Sequence, residues 1–302
     1  MTVAVLRFGD AACVDVMRAG GKGASLARMA ALGLPVPPGY VVPAEALAAA
    51  LRDRGAELRA LAERKDAAAA QELIRTVELD PALRGAVLDA YAELGADDVP
   101  VAVRSSACAE DSAEASFAGQ QETFLHVRGA DAVRARIRDC WASFFSERAL
   151  FYRAKMGSLG DLGMAVVVQR MVQADLAGVL FTCDPVRKRG DRMVVEAVIG
   201  LGEAVVSGQV TPDHYVLKRD GSVKKAQVHE QPYAIVALPE GGVTERPLPA
   251  EEGAARKAPD AVLSELARIG DDLEQRLGGP QDIEWAVQGG ELFVLQARPV
   301  TA

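Results

Sequence analysis

The chain has 302 residues, half of them hydrophobic and a quarter charged, a globular balance that sets aside a disordered or low-complexity protein. Its 34 basic and 42 acidic side chains give a formal charge of −8, which argues against an extended nucleic-acid surface, and no run reaches the ~18 apolar residues of a membrane span. Four cysteines, Cys13, Cys108, Cys140 and Cys183, are scattered without a C-x-x-C pair, which suits a reducing compartment and neither a zinc site nor a disulfide framework.

The opening "MTVAVLRFGDAACVD" lacks a basic n-region and its apolar run breaks at Arg7, so no signal peptide is expected and the protein is placed in the cytoplasm. In "GGKGASLARMAALGLPVPPGYVV" the spacing predicts a helix over 25–32, Gly33 is a natural residue just past its end, and the prolines lead into a strand from Tyr40 to Val42. Three alanine-rich helical patterns follow between Ala44 and Gly95. "VPVAVRSS" reads as a buried strand ending at Arg104, followed by a long loop of small residues, "SSACAEDSAEASFAGQQ", and a second strand, "ETFLHV". The longest helical pattern spans 131–156, with Ile137, Trp141, Phe144 and Phe145 at core spacing.

Beyond Gly163 the periodicity turns to strands: "MAVVVQRMV", "AGVLFTC", "MVVEAVI", "HYVLKR" and a closing hairpin, "DIEWAVQGGELFVLQARPV", preceded by one helix over 259–277. The expected class is α+β, with a helix-rich lobe over 1–162 and a sheet-rich lobe over 163–302.

The hairpin carries the sharpest chemical signal. A two-residue turn at Gly289-Gly290 would oppose Glu284 to Leu295 and mix charge with hydrocarbon on each face. A three-residue loop sorts them: Asp282 with Arg298 and Glu284 with Gln296 on one side, Ile283 with Ala297, Trp285 with Leu295 and Val287 with Phe293 on the other. The second register is the expectation. Oxygen ligands from Glu284 and Gln296 then suit Mg²⁺, which keeps waters and shares substrate phosphates, and Arg298 suits a migrating phosphoryl group. The plainer reading is a cross-strand salt bridge on a solvated face.

Other segments add complementary parts. Lys22 follows two glycines at a helix start, a setting for a phosphate-binding lysine, although an exposed loop lysine is the commoner case. Arg104 ends an apolar strand and must emerge or find a partner. "SFAGQQETF", with Gly119 and Thr123, could bring backbone N–H groups to phosphates. "VVVQRMVQ" offers Gln169, Met171 and Val172 as a hinge against an adenine, or is only a core strand. His126, His214 and His229 have no metal-ligand spacing and read as structural.

Together "GGKGASLARMAALGLPVPPGYVV", "VAVRSSACAEDSAEASFAGQQETFLHV", "RDCWASFFSERALFYR", "VVVQRMVQADLAGVLFTCDP", "GLGEAVVSGQVTPDHYVLKR" and "DIEWAVQGGELFVLQARPVT" resemble the N-terminal nucleotide-binding region of phosphoenolpyruvate synthase, pyruvate phosphate dikinase and rifampin phosphotransferase. The likeness runs from Ala19 to the end and is weakest in the alanine-rich helices and in "PEGGVTERPLPAEEGAARKAP". It implies a bilobal ATP-grasp-like fold, a single ATP-binding unit with ATP and Mg²⁺ in a cleft between the lobes. By motif position, Lys22 and Arg104 would hold phosphates, and Gly119 and Thr123 would belong to the stretch that covers them. Gln169, Met171 and Val172 would take the adenine side. Glu284 and Gln296 would bind metal with Asp282 beside them, and Arg298 would meet the transferred group. Lys22, Arg104 and Arg298 would be the catalytic cations.

Family members continue into a mobile domain whose histidine, in a Thr-Ser-His-type sequence, takes phosphate from ATP, and none of the three histidines has that context. The resemblance thus implies the ATP-using component of a split phosphotransferase. A separate phosphohistidine carrier would take the group to a small-molecule acceptor, pyruvate or a hydroxylated metabolite, with release of AMP. The alternatives are a stand-alone kinase or ligase acting directly on a small molecule, a non-catalytic ATP-binding subunit, and a piece of a longer enzyme.

Overall fold

Residues 4–95, 98–108, 122–155, 163–185 and 190–300 are described by the computed structural model. Two compact units emerge: Met1–Leu32 with Pro38–Met171, and Gly33–Pro37 with Val172–Ala302.

The first unit runs β1 (Leu6–Arg7), α1 (Val16–Ala31), β2 (Gly39–Val42), α2 (Glu45–Leu51), α3 (Gly55–Glu63), α4 (Ala67–Arg75), α5 (Pro81–Glu93), β3 (Val101–Ala107), β4 (Thr123–Val127), α6 (Ala130–Ser143), α7 (Glu147–Lys155) and β5 (Met164–Arg170). Its five strands form an antiparallel sheet in the order β1-β2-β5-β3-β4. Strand alternation puts Tyr40, Val42, Val101, Val103, Val166 and Val168 in one core with Leu47, Leu58, Ile74, Val87, Ile137 and Trp141 of the helices. The Trp141 indole, fully buried, donates to the Met164 carbonyl at 3.0 Å. Each buried aliphatic side chain of this kind contributes about 1.5–3 kcal/mol.

Three expectations need correction here. The alanine-rich stretch holds four α-helices, because Asp66 and Asp80 start two of them: Asp66 accepts from Ala69 N–H, and Asp80 from Ala82 and Leu83 N–H with Pro81 following. The 131–156 pattern is broken into α6 and α7, with the rings of Phe144 and Phe145 meeting edge to face at 5.6 Å at the break. The division expected at 162/163 lies one strand too early, since β5 pairs with both β2 and β3 and so belongs to the first sheet.

The second unit runs β6 (Leu176–Phe181), β7 (Arg192–Ile199), α8 (Glu203–Val206), β8 (Asp213–Lys218), β9 (Val223–Gln227), β10 (Tyr233–Ala237), β11 (Val243–Pro247), α9 (Ala250–Ala254), α10 (Asp260–Leu277), β12 (Gln281–Gln288) and β13 (Glu291–Pro299). Six strands make an antiparallel sheet in the order β13-β12-β6-β7-β8-β9, and β10 and β11 form a separate ribbon. The amphipathic α10 buries Leu263, Leu266, Ile269 and Leu273, and Gly270 lets it approach Leu180 and Thr182. It ends at Gly278, which adopts the left-handed conformation that glycine tolerates. Gly33–Pro37 joins this unit, with Val294 N–H donating to the Pro35 carbonyl at 3.0 Å. The class is α+β, as the sequence implies.

Candidate nucleotide site

In the first unit the site residues gather on the sheet face opposite the main core. Arg104 opposes Thr123 on one side and Val167 on the other, and Gln169 opposes Ala102, so Arg104, Thr123 and Gln169 share a face. Helix α1 lies against this face, where Gly23 abuts the Val41 side chain.

The expected helix over 25–32 is the second half of a longer element. At Gly20, with φ 69° and ψ 173°, α1 breaks and restarts, which leaves Lys22 in the first turn of the second segment. Ser106 makes the break possible: its hydroxyl donates to the Ala19 carbonyl at 2.9 Å and accepts from Gly23 N–H at 3.2 Å, satisfying groups a helix terminus leaves open. Only glycine fits at the kink, for a Cβ on Gly20 would stand 2.2 Å from the Ser106 carbonyl oxygen. Lys22 is 8% exposed, and its Nζ donates to the Ser105 carbonyl at 3.1 Å. Arg104 is equally buried, so two cations lie at neighbouring positions of one strand–helix junction, beside a helix N-terminus that itself favours anions. Gly119 lies outside the described residues; Thr123 is exposed at the start of β4.

The hinge stretch is partly occupied by its own chain. Gln169 is buried in β5, Arg170 N–H donates to Pro38 and Met171 N–H to Pro100 at 2.9 Å each, and Gln173 N–H donates to the Gln288 side chain at 2.8 Å. Val172 packs with Ala174, Ala177, Ala286, Phe293 and Leu295 in an apolar patch.

In the second unit the hairpin resolves the choice of register by using both. Asp282 opposes Arg298, Ile283 opposes Ala297 and Glu284 opposes Gln296, as expected. Beyond that point Trp285 opposes Val294, Ala286 opposes Phe293 and Val287 opposes Leu292, so the expected Trp285–Leu295 and Val287–Phe293 pairs do not form. The turn is the two-residue Gly289-Gly290, both with positive φ (58° and 86°), and a β-bulge between Glu284 and Trp285 absorbs the extra residue, Leu295. Charge sorting sets the pairing at Asp282 and Glu284, and the twist preference of hairpins sets the turn.

One face of this sheet therefore carries Asp282 and Arg298, then Glu284 and Gln296, then Ala286 and Phe293. Arg298 donates to Asp282 at 2.8 Å, and burial raises the Asp282 carboxyl above its ordinary range, with Glu284 adding to the rise and Arg298 opposing it. The opposed carboxylate and amide oxygen of Glu284 and Gln296 fit a hard cation that draws its remaining ligands from phosphate and water. Among the described residues no three His, Cys, Asp or Glu side chains form a metal cluster.

Two features escaped the sequence reading. Ser105 and Ser106, which anchor Lys22 and the kink, looked like loop residues. Glu196 extends the polar row, since Glu284 opposes Val179, Val179 opposes Glu196, and Glu196 opposes His214 at an Nδ1–Oε1 separation of 3.9 Å. A lone acid within the apolar "MVVEAVI" was the available signal.

Residues 16–302 match the family model described as the pyruvate phosphate dikinase AMP/ATP-binding domain. The chain belongs to this family. Its two-unit α+β architecture is that of an ATP-grasp-like AMP/ATP-binding domain. It is 39% identical over 95% of its length to a probable phosphoenolpyruvate synthase of Methanocaldococcus jannaschii, and 40% identical over 95% to that of Methanothermobacter thermautotrophicus. It is also 38% identical over 94% to the prodigiosin synthesizing transferase PigC of Serratia marcescens. The chain spans 26%, 44% and 32% of these three relatives. No helix among the described residues is long and apolar enough to cross a membrane.

Proposed function

We propose that this AMP/ATP-binding domain is the ATP-using component of a phosphotransferase and donates a (pyro)phosphoryl group to a histidine on a separate carrier, releasing AMP. The carrier would then phosphorylate a small molecule, pyruvate or a hydroxylated metabolite. The observation that supports this best is the Glu284–Gln296 pair beside Asp282–Arg298, in a chain whose residues 16–302 match the dikinase domain. The three described histidines do not suit the role of internal acceptor. His126 is buried in β4, His214 lies beside Glu196, and His229 Nδ1 is 2.7 Å from the Pro212 carbonyl oxygen.

In this reading Lys22 and Arg104 hold phosphate oxygens from the first unit, with Gly119 and Thr123 in the stretch that covers them. Gln169, Met171 and Val172 take the adenine side. Because the N–H groups of residues 170, 171 and 173 already donate within the chain, recognition of the base edge falls to Val172 and to carbonyl groups of the stretch. Glu284 and Gln296 would hold Mg²⁺, which when bound neutralises phosphate charge. Arg298, oriented by Asp282, meets the transferred group, so the chain's contribution is positioning and charge stabilisation.

Mixing the protein with ATP, Mg²⁺ and a protein carrying a Thr-Ser-His-type sequence tests the scheme. AMP together with an acid-labile phosphoprotein is expected. ADP with a phosphorylated metabolite and no carrier would instead establish direct transfer. ATP binding without turnover under any pairing would mark a non-catalytic subunit.

A further inference from the structure

The β-bulge at Leu295 separates two kinds of chemistry on one strand face. On the turn side lie Ala286 and Phe293, packed with Val172, Ala177 and Leu295. On the other side lie Glu284, Gln296, Asp282 and Arg298. From Ala286 to Asp282 the strand advances about 13 Å at ~3.3 Å per residue, which is the scale of one ligand with an apolar end and a charged end.

The irregularity lies wholly in β13. Across the same step β12 pairs with β6 without a shift, Glu284 opposing Val179 and Trp285 opposing Gly178. Just before the bulge, Val294 N–H donates outward to the Pro35 carbonyl at 3.0 Å. The residue before the bulge is therefore anchored outside the hairpin while β12 stays regular, and a bulge bends its strand and increases the local twist. It thus changes the direction in which Gln296 and Arg298 project relative to Phe293, while every pair to either side stays opposed.

We propose that Leu295 is a positioning residue, the spacer that sets the apolar patch and the Glu284–Gln296 end at the offset one nucleotide requires. The bulge then couples recognition of the base to recognition of the metal-bound phosphates. This rests on the nucleotide reading above and adds to it the device that aligns the two ends of the ligand.

The ladder supplies a direct test. Deleting Leu295 closes β13 without moving any pair: Val294 still meets Trp285 and Gln296 still meets Glu284, now consecutively. Leu295→Ala keeps the bulge and removes only the side chain. Dissociation constants for AMP in EDTA and for Mg-ATP are measured by titration calorimetry on the full chain and both variants. Leu295→Ala should weaken both ligands by a similar factor and preserve the ratio of the two constants. The deletion should collapse that ratio by at least tenfold, with far-ultraviolet circular dichroism unchanged.

A deletion that keeps the ratio overturns the proposal, as does Leu295→Ala collapsing it equally. A deletion variant that fails to fold also overturns it, because the ladder would not have closed in register. A wild-type chain that binds no Mg-ATP overturns the nucleotide reading itself, and this inference with it.

Discussion

Arg298 donates from Nε to one oxygen of Asp282 at 2.8 Å, and a terminal guanidinium nitrogen lies 2.8 Å from the same oxygen. The carboxylate is the buried partner, 12% exposed at its side chain against 53% for the arginine. Asp282 thus acts as an anchor that fixes the direction of a half-exposed cation.

Asp282→Asn should therefore reduce turnover with the carrier about tenfold, at the low end of a charge-assisted hydrogen bond because solvent screens the exposed arginine, while Mg-ATP affinity changes little. Stability moves differently. Burial raises the Asp282 carboxyl above 3.8, so the folded state favours the neutral form. Its contribution is complete below pH 3.8 and is lost as pH rises through the raised folded value. At neutral pH Asp282→Asn should melt no lower than wild type, and a clear loss of melting temperature would show that the ion pair outweighs the burial term.

Gly20→Ala tests the kink. The new Cβ would collide with the carbonyl and hydroxyl oxygens of Ser106, at 2.2 and 2.3 Å, in a backbone conformation with φ 69°. A destabilisation of at least about 2 kcal/mol is expected from the collision and the left-handed backbone together, read as a shift in denaturant midpoint. Gly33→Ala has open space around its Cβ, at φ 75°, and should lose only about 1 kcal/mol through the backbone term. Equal losses at the two positions would show that Ser106 yields.

What was legible in the sequence follows from which forces are local. Short apolar runs bounded by turn residues mark β5 to β8 and the hairpin, and α10 carries its own period and terminal glycine. Charge sorting gave the Asp282–Arg298 and Glu284–Gln296 pairs. The bulge is hidden in the sequence because it satisfies the two-residue turn and the charged pairs at once, which a single register cannot do. The kink at Gly20 was hidden because its stabilising partner, Ser106, is 86 residues away in sequence. The short polar strands β9 and β11 gave no alternation signal, since most of their residues are exposed. The candidate residues were found by type, but their mutual support through Ser105, Ser106 and Leu295 belongs to tertiary structure.

His126 occupies left-handed backbone (φ 53°) in β4, where the ladder to β3 is irregular, and its buried Nδ1 has no hydrogen-bond partner among the described residues. Burial, and then Arg128, lower its pKa below 6.5. The neutral ring is favoured in the folded state, so its contribution is present above pH 6.5 and is lost as pH falls toward the lowered folded value. Asparagine tolerates this backbone and does not titrate, so His126→Asn should flatten the pH dependence of the melting temperature below pH 6.5. An unchanged slope would place the acid sensitivity elsewhere.

The second unit is braced by a buried ion pair. Lys257 Nζ lies 3.1 Å from Asp213 Oδ1, with side chains 1% and 0% exposed, and also donates to the carbonyls of Gly253 and His229. Asp213 further accepts from Tyr215 O–H at 2.7 Å and from the backbone N–H groups of His229 and Lys257 at 3.0 Å. Removing one partner of such a pair typically costs roughly 3–5 kcal/mol, because the other charge stays buried. Lys257→Met should fall near the lower end, about 3 kcal/mol, since three hydrogen bonds still hold the carboxylate. If the loss comes from the stranded charge, adding Asp213→Asn should recover at least about 1 kcal/mol of it, a coupling that urea unfolding of the double-mutant cycle measures. Strict additivity would mean that the lysine acts through its two carbonyl contacts, binding α9 to the segment after β9, and that the charge on Asp213 is already balanced by the N–H groups around it.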